Sequence, residues 1–232
     1  MTAWDGRDAD VLDLERAELP AAAGAVVCDL RLQPGDLILL DAETDDQEQA
    51  LVDVALGLVQ PSHGEVRFLG HPWRAVPSTF AAALRGRVGL VPRQGGWLAH
   101  ASVATNVLLQ ARYHTMSDAD RLAERGAAWS ARFGLPGLPL GPATALSAAD
   151  RLRALLARAF LGDPALVVIE TRHDAWRGEL LAALVDALQI VREGGGAALW
   201  CLGRDELFYD GTLPATARLR VRGRRLVAWG QT

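Results

Sequence analysis

The sequence has no lysine: all 24 basic side chains among its 232 residues are arginine. Schiff-base chemistry and lysine nucleophiles are therefore excluded. Cysteine is nearly as scarce. Cys28 and Cys201, the two present, sit in apolar strand-like runs and make neither a disulfide framework nor a paired Cys-x-x-Cys metal site. No run approaches the ~18 apolar residues that a membrane span needs. The first residues lack the basic-then-apolar order of a secretion signal, which points to a cytosolic setting. An excess of one charge is also missing, since a net charge of −4 gives no electrostatic reason to bind nucleic acid or an anionic membrane.

What is there is apolar and alternating. A hydrophobic content of 50% can fill one core, so residues 1–232 are expected to form a single domain. Short strands are predicted around Val11 to Leu14, Ala25 to Leu32, Gly35 to Leu40, Glu65 to Leu69, Arg87 to Val91, Ala165 to Ile169, Ala197 to Leu202, Ala217 to Val221 and Leu226 to Trp229. A helix is predicted over Ala50 to Leu58. Another follows Ser147, with Leu152, Leu155, Leu156, Ala159 and Phe160 on one face and Gly162 and Pro164 as its stop. A third carries Leu180, Leu184, Leu188 and Val191. Between Gln94 and Pro142 the pattern turns helical: Val103, Val107, Leu108 and Ala111 share a face, and Ser117-x-x-Asp120 has the form of a capping box. Strand and helix in alternation give an α/β sheet with halves at 11–93 and 145–232 and a helical lobe at 94–144.

The strand Gly35 to Leu40 and the helix after it form the context in which G-x-x-x-x-G-K-[ST] cradles phosphates with backbone N–H groups and one lysine. Here the connecting residues, 41–50, read DAETDDQEQA, with five carboxylates and no glycine. Counted back from the helix, Glu48 holds the lysine position, Gln49 the next, and Ala42 and Gln47 the flanking glycine positions. Opposite unit charges about 4 Å apart gain roughly 4 kcal/mol at an effective dielectric of 20, so exchanging lysine for glutamate swings phosphate binding by up to about 8 kcal/mol. A micromolar site is worth about 8 kcal/mol in total. No ATP is expected in this loop.

The order of elements resembles the nucleotide-binding subunit of ABC transporters over roughly residues 11–230. PGDLILL with LVDVALGLVQPSHGEVRFLG is similar to that family's P-loop strand and helix, GRVGLVPRQGGWLAHASVATNVLL to its Q-loop region, ALSAADRLRALLARAFLGDPALVVIE to its signature helix and Walker B strand, and LWCLGRDE to the strand before its switch histidine. NVLLQARYHT resembles the lipid-transporting branch associated with MCE proteins. The resemblance implies a P-loop NTPase-like, ABC-type fold: a mostly parallel sheet flanked by helices, with an N-terminal antiparallel β part and an inserted helical lobe. It also implies a membrane permease as partner, a second nucleotide-binding subunit or a second copy beside it, and a peripheral place on the cytoplasmic face of the membrane.

Each position that the family uses for chemistry departs from its pattern. LSGGQ is matched by Leu146, Ser147, Ala148, Ala149 and Asp150, which leaves Ser147 as a candidate contact to a partner's nucleotide. Glu170 matches the Walker B aspartate and Thr171 the catalytic glutamate, and a threonine is no carboxylate base. Arg93 matches the Q-loop glutamine, with Gln94 next to it, and Arg204 the switch histidine. Gly95, Gly96 and Trp97 follow, where the family docks its permease. The expectation is a pseudo-ATPase subunit without cofactor. The alternatives are a working ATPase or half-site partner that uses ATP and Mg²⁺, and a freestanding interaction protein.

Other features have plainer explanations. Asp41, Glu43 and Asp45 have EF-hand spacing, but Asp46 and Val52 stand where glycine and a bidentate glutamate are needed, so a solvated loop is expected. Glu170-x-x-His173 occurs once and at a strand end, so no metal is expected. His63, His71, His100 and His114 have no paired spacing. Ser147 lacks a nucleophile elbow and fits a helix cap. Arg218, Arg220, Arg222, Arg224 and Arg225 are expected on the solvated face of an edge hairpin.

Overall fold

A computed structural model describes residues 10–21, 24–114, 118–170, 178–203 and 205–230. Alternating apolar residues build β1 (Leu12–Leu19) and β2 (Val26–Leu32) as an antiparallel pair. β1 runs beyond Leu14 because a bulge at Arg16, with φ 47°, lets pairing resume at Ala17. The strands that follow are β3 (Leu37–Asp41), β4 (Glu65–Phe68), β5 (His71–Pro72), β6 (Val88–Val91), β7 (Leu166–Ile169), β8 (Ala197–Cys201), β9 (Ala217–Arg222) and β10 (Arg225–Ala228). They join one sheet in the order β5-β4-β1-β2-β10-β9-β3-β8-β7-β6. β9, β3, β8, β7 and β6 run parallel, while β5, β4, β1 and β2 form the antiparallel part.

β6, β7 and β8, and β3 as far as Leu40, are apolar because both of their faces are covered. Ile38, Leu40, Val168 and Leu199 face the core beneath α1 (Asp45–Ala55) and α2 (Ser78–Arg85). Leu37, Leu39, Val167, Ile169 and Trp200 face the core beneath α3 (Val103–His114), α4 (Ala119–Arg132), α5 (Ala148–Leu161) and α6 (Gly178–Glu193). The helical segment between 94 and 144 is continuous with this second core, since Leu108, Leu122 and Phe133 pack in one cluster with Leu156 and Phe160. α5 lies close on β6 because residue 89 is glycine: a Cβ there would sit 2.1 Å from the carbonyl oxygen of Ala159.

Two local expectations change. Ser117 lies outside the described residues, and the cap of α4 is Asp118, whose carboxylate accepts from the N–H groups of Asp120 at 2.9 Å and Arg121 at 3.3 Å. The C-terminal hairpin is not at an edge. β10 pairs with β2 and β9 with β3, so the hairpin joins the two parts of the sheet. Two of its arginines are correspondingly engaged, Arg218 donating to the carbonyls of Phe208 and Asp210 and Arg220 to Asp41, while Arg222, Arg224 and Arg225 stay exposed. Among the described residues no helix is long and apolar enough to cross a membrane.

Candidate functional site

In an open α/β sheet the crevice beyond the carboxyl ends of the parallel strands is the usual place for a ligand. Asp41 ends β3, Arg93 follows β6 and Glu170 follows β7 at this rim. α1 begins at Asp45 rather than at Ala50, so only Ala42 to Thr44 remain as loop. The cause is local. Thr44 is the cap, its Oγ1 accepting from the N–H of Gln47 at 3.2 Å, and Asp45, Asp46 and Glu48 lie in the first turn, where carboxylates oppose the helix dipole favourably. T-D-D-Q-E is a helix-start signal, and the phosphate-loop frame hid it.

Two of the five carboxylates, Asp41 and Glu48, are not solvated. Glu48, in the lysine position, is fully buried, and its Oε1 lies 2.6 Å from Nη2 of Arg93. Arg93 Nη1 lies 2.6 Å from Oδ2 of Asp45, so the guanidinium spans the first turn of α1. Burial works against the charge of Arg93, but the charge of Glu48 and the hydrogen bonds from Glu48 and Asp45 outweigh it and hold its pKa above the usual arginine value. Glu170 is buried at the same rim, with its backbone N–H donating to the carbonyl of Val91 at 2.9 Å. Burial first, and the Glu48 charge second, push the Glu170 carboxyl up to about 7. Its Oε1 and that of Gln47 have no hydrogen-bond partner.

On the other side the loop is clamped to the hairpin. Asp41 pairs in register with Arg220, whose Nε donates to Oδ2 at 2.6 Å while its Nη2 donates to the Tyr209 hydroxyl at 2.6 Å. Glu43 accepts from the N–H of Gly223 at 3.2 Å, and Gln47 Nε2 donates to the carbonyl of Gly223 at 3.3 Å. Gly223 has φ 59° in the two-residue turn, a conformation that glycine adopts freely. The expected solvated acidic loop is therefore corrected at two of its five carboxylates. Asp41, Gln47 and Glu48 are buried, and Asp41 and Glu48 are paired with arginines; Glu43, Asp45 and Asp46 stay exposed. Arg220, expected on a solvated hairpin face, instead makes the second clamp.

The remaining candidates separate. Ala42 is buried beside Asp41, whereas Gln49 points outward and bonds Asp53 at 3.0 Å. Ser147 caps α5: its Oγ accepts from the Asp150 N–H at 3.0 Å and donates to Asp150 Oδ2 at 2.8 Å. Gln94, Gly95 and Gly96 are exposed. Trp97 is half-buried against the second core, with the Arg158 guanidinium 5.9 Å from its ring centre. Beside them lies a cleft of about 390 Å³ lined by Pro92, Gln94, Trp97, Arg151, Leu152 and Leu155, among others. Thr171, His173 and Arg204 lie outside the described residues. Among the described residues no group of three or more His, Cys, Asp and Glu side chains is arranged around a metal ion.

A solved ATP-binding subunit of an ABC transporter superposes with a TM-score of 0.79 at 15% identity, covering 94% of this chain and 90% of that one. The chain has the fold of ABC transporter ATP-binding subunits. The ATP-binding cassette MJ0796, in its dimeric ADP- and phosphate-bound state, gives a TM-score of 0.77 at 12% identity over 95% of this chain and 100% of that one. Relatives in sequence are also such subunits. The cytochrome c biogenesis ATP-binding export protein CcmA of Pseudomonas fluorescens is 29% identical over 171 residues, 72% of this chain and 76% of CcmA. The zinc import ATP-binding protein ZnuC of Paracoccus denitrificans is 28% identical over 179 residues, 77% of this chain and 63% of ZnuC. No protein-family model matches the chain.

Proposed function

We propose that this ABC ATP-binding-subunit homologue neither binds nor hydrolyses ATP in its own site and serves as a structural or regulatory subunit docked on a membrane permease. The observation that carries this is the buried Glu48–Arg93 pair in the position of the phosphate-binding lysine. A magnesium-bound triphosphate does not fit these residues. Ala42 and Gln47 put side chains where backbone N–H groups would have to approach phosphate closely, and the Arg93 guanidinium is already held by two carboxylates. Exclusion thus rests on occupancy more than on net negative charge, because Arg93 and Arg220 neutralise much of the loop.

Docking is supported by the cleft beside Trp97, whose apolar floor of Pro92, Leu152 and Leu155 suits a partner's helix end. Association with the cytoplasmic face of the membrane would run through that permease. The partner in the dimer would be a second copy or an active subunit, as the dimeric MJ0796 cassette suggests. A lipid cargo rests on the likeness of NVLLQARYHT to the MCE-associated branch. The test is phosphate release from MgATP by the purified chain, alone and mixed with a competent ATP-binding subunit. No release above that of the competent subunit is expected. Release that depends on the mixture and disappears in Ser147→Ala would overturn the proposal in favour of a half-site enzyme.

A further inference from the structure

Two successive glycines, Gly95 with φ 72° and Gly96 with φ 76°, lead from β6 into the helical layer. Such a pair has many accessible conformations when free, yet the segment around it is tied at both ends. Beyond the glycines, the N–H of Leu98 donates to Asn106 Oδ1 at 2.7 Å, Asn106 Nδ2 donates back to the Leu98 carbonyl at 3.1 Å, and Arg158 Nη1 donates to the Gly96 carbonyl. These contacts fix it to α3 and α5. Before the glycines, Arg93 makes the two ion pairs to α1.

We infer that Arg93 is a built-in replacement for a ligand: a positioning residue that locks residues 92–97, and the cleft they line, to α1 without any bound molecule. This rests on the proposed ligand-free state of the acidic loop. A guanidinium with two forked contacts restricts rotation as well as distance. One of its two partners cannot swing away, because Glu48 is wholly buried, while Asp45 has a side chain 67% exposed and makes the looser arm. Arg93 itself is 19% exposed, so salt screens the Glu48 arm little. The cleft that the proposed partner enters would thereby be held open in one shape at all times, with no cycle of closing and release.

Hydrogen exchange read by mass spectrometry on the full chain tests this. In Arg93→Met, amides 94–98 are expected to exchange about tenfold or more faster through local opening, over and above any acceleration of the buried strands β7 and β8, whose exchange follows global stability. Arg93→Lys, with one contact in place of two, should fall between. Asp45→Asn releases only the exposed arm and should accelerate the same amides by roughly two- to threefold; it keeps the test available if Arg93→Met does not fold. Wild-type exchange at 94–98 in Asp45→Asn, or in a folded Arg93→Met, overturns the lock. The same experiment with millimolar MgATP on the wild type separates the two ideas. Protection of α1 by nucleotide would sink the ligand-free state of the loop, whereas unchanged exchange in the variants alone would sink only the lock.

Discussion

Removing Arg93 should be far more damaging than removing the pair to which it belongs. Glu48 is 0% exposed and its carboxylate sits 2.6 Å from the guanidinium. In Arg93→Leu that carboxylate stays buried without its cation, which costs about 3–5 kcal/mol. A chain of this size loses about 2–4 °C of Tm per kcal/mol, so the expected drop is roughly 6–20 °C. Glu48→Leu is milder, because Arg93 keeps Asp45 and some solvent, and should cost about 1–2 kcal/mol. The double variant Arg93→Leu/Glu48→Leu replaces a buried ion pair by apolar volume and should lie within about 1 kcal/mol of the wild type. Urea unfolding of the four proteins then yields a coupling energy of at least about 2 kcal/mol. A coupling below about 0.5 kcal/mol, with the double variant as weak as the sum of the singles, would refute the buried pair.

Two further outcomes follow from the site. Glu170 has a folded pKa of about 7 against 4.5 unfolded. Below the lower value it is protonated in both states; between the two, the folded state retains a proton that the unfolded state has lost, so stability falls as pH rises, by at most about 3 kcal/mol once pH exceeds the folded value. Urea midpoints from pH 5 to 8 should therefore fall less steeply for Glu170→Gln than for the wild type, and parallel curves would contradict the buried carboxyl. Ser147→Ala removes the cap of α5 and should lower stability by about 1 kcal/mol, or Tm by about 2–4 °C. An unchanged Tm would mean that Ser147 does not serve the helix start.

Much of the scaffold was legible because its signals are local and periodic. Leu166–Ile169 and Ala197–Cys201 are unbroken apolar runs, and α5 announces itself through the Ser147 cap, its stripe and Gly162. The charge of residues 41–50 is legible, but the helix start at Asp45 and the pairing of the carboxylates are not. The partners of Glu48 and Asp41 lie 45 and 179 residues away in sequence, and no spacing rule connects an acid to an arginine at such a separation. The arginine stripe of β9 misled for a related reason. Alternating charge on a strand looks the same whether its partner is water or a neighbouring loop, and only the position of β9 between β10 and β3 decides it.

Thermal unfolding of the purified chain with and without millimolar MgATP tests the central claim most directly. A site filled at one hundred times its Kd adds about 2.7 kcal/mol, which would raise Tm by roughly 5–11 °C. With Glu48 and Arg93 satisfying each other at the phosphate position, no nucleotide-dependent shift is predicted. A dose-dependent rise of several degrees, produced by MgATP and absent with magnesium alone, would contradict the account.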